Sequence, residues 1–63
     1  MSTRALIDSI PATDLRAAVH MVKYYEDSPT GAAAFLEMIC GLNLNKSDER
    51  RLSAYIARAA VSE

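Results

Sequence analysis

Few side chains in this sequence could carry chemistry, and their spacing does not assemble them. His20 is the single imidazole. A catalytic histidine needs a nucleophile or an orienting carboxylate within reach. Asp27 lies on the same helical stripe but about two turns away, and Glu26 falls off that stripe. Arg16 and Lys23 flank His20 instead, the setting of a solvated surface histidine. Cys40 is the single thiol. Near a helix C-terminus the dipole disfavours a thiolate, so Cys40 reads as a buried or half-buried structural cysteine. One cysteine forms no internal disulfide, and one cysteine with one histidine cannot fill a tetrahedral zinc site. The sequence has no phosphate-cradling glycine loop and no carboxylate pair at a fixed spacing. The expectation is therefore no enzyme, with no catalytic residue, no metal and no cofactor.

Two short patterns invite other readings. Asp8–Ser9–Ile10 resembles, over three residues, the Asp-Ser-Leu attachment site of acyl carrier proteins. Such carriers place a whole helix before that serine, which the eight residues here cannot supply, so no family is drawn from the match. The region from Pro29 to Val61 resembles a helix-turn-helix in outline. The turn of that motif is about three to four residues, and the segment Gly41–Ser47 is longer. Arg50, Arg51 and Arg58 suit phosphate contacts. Asp48 and Glu49, however, occupy the helix start, where base-reading residues project.

The elements that must position these residues follow from length and punctuation. Sixty-three residues make one small helical domain, spanning 1–63. A chain of this size buries only about 60% of its unfolded surface, so it relies on tight helix packing or on a second subunit. Hydrophobic residues make up 51% of it, enough for a core, although much of that is alanine. The formal net charge of −1 lacks the positive excess of a stand-alone nucleic-acid binder. No signal peptide is visible at the start. The run Ala32–Leu36 falls far short of the ~20 residues of a membrane span. The lone thiol fits a reducing compartment, so the expected location is the cytoplasm.

Up to four helices are expected. Ser2 or Thr3 caps a short first helix in which Leu6, Ile7 and Ile10 share a face; Pro11 interrupts it. A second helix runs from about Thr13, as its cap, to Asp27, with Asp14 in the first turn. Ser28–Pro29 starts a third, which runs to Cys40 and is ended by Gly41, with Leu42 folding back on Leu36. Asn45 or Ser47 caps a fourth that runs to about Val61. Strand signals are nearly absent. The fold class is all-α, a compact bundle of three to four helices that associates with itself.

At about 100° per residue the faces separate. On the second helix Arg16, His20, Lys23 and Asp27 form a narrow polar stripe, and the apolar arc is wider than the ~100° a one-sided helix needs. On the third, Phe35, Met38, Ile39 and Leu42 group together and are expected to face the core. Ala33, Glu37 and Cys40 lie opposite and are expected to let another backbone come close. The fourth shows a stripe of Leu52, Tyr55, Ile56 and Ala59. More apolar surface is presented than a monomer easily hides, which marks a contact site. The candidate protein interface is Ala17, Met21, Tyr24, Ala33, Glu37 and Cys40. The leading functional expectation is a non-enzymatic protein-binding regulator (inhibitor, anti-activator or adaptor, of the kind phages and plasmids encode), with a protein partner or a second copy. The alternatives are a dimeric DNA-binding regulator using Arg50, Arg51 and Arg58, and an accessory subunit of a larger complex.

Overall fold

The computed structural model describes residues 2–62; Met1 and Glu63 lie outside the described residues. All regular structure among them is helical: α1 (Thr3–Asp8), α2 (Ala12–Tyr25), α3 (Pro29–Cys40) and α4 (Lys46–Ser62). Helices α2, α3 and α4 pack pairwise against one another, and α1 lies against α4. The radius of gyration is 10.3 Å, close to the ~10.6 Å of a compact chain of this length. Apolar side chains that remain exposed are therefore not the result of a loose chain.

Short polar signals set most helix ends. The Ser2 hydroxyl accepts the Ala5 N–H at 3.1 Å and starts α1. The Ser28 hydroxyl accepts the Gly31 N–H at 2.9 Å, with Pro29 at the first helical position of α3. The Asn45 side-chain carbonyl accepts the Asp48 N–H at 2.8 Å and starts α4. Each bond satisfies an N–H that the helix itself leaves unpaired. Gly41 ends α3 at φ 65°, where it adopts the left-handed conformation that glycine takes without penalty.

Helix α2 departs from expectation at both ends. Thr13 is not its cap: the helix begins one residue earlier, with Pro11 preceding it and no side chain capping it. The Pro11 carbonyl accepts the Leu15 N–H at 3.0 Å, and the proline ring has already fixed the local φ at −55°. At the other end Glu26 turns into the left-handed region at φ 59°, so Asp27 leaves the polar stripe.

The core is made of Leu6, Ile10, Ala18, Val19, Ala32, Ala33, Leu36, Leu52 and Ile56. Its alanines come from α2 and α3 and let those backbones approach each other and α4. This inverts the expected orientation of α3. Ala32, Ala33 and Leu36 are buried, while Met38 and Ile39 are exposed and Phe35 is half-buried. Leu42 packs at the edge of the core, and its N–H meets the Glu37 carbonyl at 3.0 Å. The stripe of α4 behaves as expected, with Leu52 and Ile56 fully buried and Ala59 and Tyr55 half-buried. No helix among the described residues is long and apolar enough to cross a membrane.

Candidate protein interface

One contact orients α2 and α3. The Cys40 thiol, at the end of α3, donates to the Asp14 carboxylate in the first turn of α2, with Sγ 3.6 Å from Oδ2. The helices therefore run antiparallel, with Ala18 level with Leu36 and Ala17 level with Glu37. Burial pushes the Cys40 thiol above its ordinary pKa, and the hydrogen bond to Asp14 and its charge add to the shift. Such a thiol is a poor nucleophile at neutral pH. Its role is to tie two helices together.

Glu37 marks the side of α3 that meets α4. Burial raises its pKa, and the Glu49 carboxylate on α4 raises it further. Thr30 of α3 lines the same shallow hollow as Lys46, Glu49, Arg50 and Ser53 of α4. With α4 on the Thr30–Glu37 side and α2 on the Leu36–Cys40 side, successive steps of about 100° place Phe35, Ile39 and Met38 on a third flank. Ile39 lies nearest the α2 side of that flank, whereas Met38 points away from α2.

Helix α2 has a matching flank. Asp14 marks its side toward α3, and the buried Ala18 and Val19 face inward. Ala17, Met21 and Tyr24 lie on the side that turns away from α4. Because two right-handed helices run in opposite directions here, this flank and the Phe35–Ile39 edge of α3 open to the same side of the pair. Tyr24, Tyr25, Met38 and Ile39 are 60%, 70%, 76% and 45% exposed. Phe35 and Met21 are half-buried.

The C-terminal end of α2 carries an aromatic group in mutual contact. The Tyr24 ring lies 4.4 Å from the His20 ring, centroid to centroid, and the Lys23 ammonium sits 5.4 Å from the Tyr24 centroid. Tyr25 approaches His20 from the other side at 5.7 Å. His20 is thus a surface residue that braces two tyrosines.

Of the residues singled out as interface candidates, Ala17 and Tyr24 are exposed and Met21 is half-buried on the outer flank of α2. Ala33 is in the core of the chain itself, and Glu37 and Cys40 are half-buried toward α4 and α2. The side chains of α3 that are exposed instead are Met38 and Ile39, with Phe35 half-buried. The arginines of α4, Arg50, Arg51 and Arg58, are exposed as expected. Arg51 is engaged with Asp48 at 3.7 Å, and Asp48 is largely buried at the helix start. Acidic Asp48 and Glu49 thus remain at the end of α4 that would have to read bases. Among the described residues, no group of three or more His, Cys, Asp or Glu is placed to hold a metal ion.

No family model matches the chain, and neither a curated protein nor a solved structure is significantly similar to it.

Proposed function

We propose that this protein is a small protein-binding module that works by docking the outer face of α2 and α3 on another protein surface. Through that contact it blocks, recruits or stabilises what it binds, and so acts as a regulator without chemistry of its own. One observation carries this reading. Among the described residues, four of the five exposed large apolar side chains, Tyr24, Tyr25, Met38 and Ile39, belong to the packed pair α2 and α3, and the fifth, Val61, is on α4. Singly scattered exposed apolar residues need no explanation, but several large ones concentrated on two packed helices of a compact domain suit a contact site. Tyrosine and methionine also suit the task, as rigid amphipathic and adaptable apolar contacts respectively.

The test separates interface from core. Tyr24→Asp and Met38→Glu should leave the helical circular dichroism and the urea midpoint close to wild type, while association is lost. Unfolding of both variants would mean that these residues support the fold, and the docking reading would fall.

A further inference from the structure

We propose that α1 is a lid on α4, which swings away about Pro11 as one unit while α2, α3 and α4 stay packed together. It is independent of the docking role of α2 and α3, because α1 packs on neither.

The four helices share their contacts unequally. Helices α2, α3 and α4 each pack on the other two, whereas α1 packs on α4 alone. Lifting α1 therefore takes from none of the other three either of its neighbours in that group. Of the core residues, only Leu6 and Ile10 precede α2; the others come from the three mutually packed helices. A core thus remains when α1 leaves.

The polar groups of residues 2–10 close on one another. The Ser2 hydroxyl accepts the Ala5 N–H, and the Ser9 hydroxyl donates to the Leu6 carbonyl at 2.6 Å. The Ser9 and Ile10 N–H groups meet the Ala5 and Ile7 carbonyls, each at 3.1 Å. Arg4 and Asp8 approach to 4.0 Å, and both are exposed. Pro11 has no N–H to give, and its carbonyl accepts the Leu15 N–H at the start of α2. The two backbone ladders meet at Pro11 without sharing a bond. What seats the segment is apolar: Leu6 and Ile10 are buried, and Ile7 is half-buried against the core.

Length makes the unit all-or-none. Helix α1 has six residues, far fewer than the ~12–15 an isolated helix needs in water. Away from α4 it has nothing to keep it helical, so undocking and unwinding are one event. A unit with a single neighbour opens at a lower free energy than the whole chain unfolds. Opening bares Leu6, Ile10 and the strip of α4 beneath them, an apolar surface that the closed molecule hides.

Native-state hydrogen exchange of the whole chain, read amide by amide at several low urea concentrations, tests this. The Leu6, Ser9 and Ile10 amides should share one protection factor, about 100-fold below that of the Val19, Leu36 and Ile56 amides. Their exchange should also respond less to urea, because lifting α1 exposes less surface than global unfolding does. Leu6→Asp puts a carboxylate where the lid seats and should hold it open. In that variant Ser9 and Ile10 should lose protection, and Val19, Leu36 and Ile56 should keep theirs. Wild-type α1 amides with the protection and urea response of the other helices would overturn the lid. Protection that rises steadily from Leu6 to Ile10 would mean an end that frays rather than a unit that swings. Loss of protection throughout the Leu6→Asp variant would show that α2, α3 and α4 do not hold together without α1, and the proposal would fail.

Discussion

The two sides of α3 use opposite kinds of residue, and each does the other's expected work. The side packed into the bundle is built from Ala32, Ala33 and Leu36, with Cys40 at its end. The side turned away carries Met38 and Ile39, with Phe35 half-buried against the edge of the core. Size is a poor guide to burial here because α3 must fit against α2 and α4 at once. Helix axes approach to about 8–10 Å, depending on the side chains between them. Alanines allow the close end of that range, and one leucine then fills the space that three helices leave. Residues as large as Phe35 and Met38 in that seam would hold the helices apart.

The contrast predicts a wide gap between substitutions on the two sides. Leu36→Ala removes a fully buried side chain and should cost about 2–5 kcal/mol. Total stability for a chain of this length is of the order of 3–9 kcal/mol, so this variant should lose roughly half of it or more. Ala33→Leu adds volume where α3 meets its neighbours and should cost about 1–3 kcal/mol. Met38→Ser, on the outer side, should stay within about 0.5 kcal/mol of wild type. Urea titration followed by circular dichroism measures all three. A Met38→Ser variant as unstable as Leu36→Ala would erase the distinction between the sides.

The same contrast shows what the sequence could reveal. The helices were legible because their ends are marked by local chemistry: Ser2, Ser28 with Pro29, Gly41 and Asn45 act through their own backbone neighbours. The core stripe of α4 was legible because Leu52 and Ile56 are its largest apolar residues and are flanked by arginines. Helix α3 was not, because both its sides are apolar. Periodicity then gives no sign of which side faces in, and only the positions of α2 and α4 decide. The Cys40–Asp14 contact was hidden for a related reason, since it joins residues 26 positions apart.

The two left-handed helix ends offer a finer comparison. Gly41 and Glu26 occupy nearly the same backbone conformation, at φ 65° and φ 59°. Nothing lies within 4 Å of the position a Cβ would take at Gly41. Gly41→Ala therefore meets conformational strain alone and should cost about 1 kcal/mol. Glu26→Gly releases strain of that kind against a larger chain entropy in the unfolded state, and should gain about half a kcal/mol. If Glu26→Gly is destabilising instead, Glu26 makes a favourable contact that outweighs its backbone conformation.

The smallest expected effect separates the two contacts that α3 makes through its ionisable groups. Glu37 and Cys40 both have pKa values raised by burial first, then by Glu49 and by Asp14 respectively. For each, the folded chain holds its proton more tightly than the unfolded chain does. Stability then falls with rising pH wherever the native state binds the extra proton. The contribution of Glu37 is fully present below its ordinary value of 4.5 and is lost as pH rises through the raised one. That of Cys40 is intact below 9.0 and is lost above it. Glu37→Gln should flatten the acid-side decline and leave the alkaline one, while Cys40→Ala should do the reverse. Thermal midpoints recorded across pH check both. An alkaline decline that survives Cys40→Ala would mean that the thiol is not the group linking α3 to α2 through its proton. The packing of Ala32, Ala33 and Leu36 alone would then fix that side of the helix.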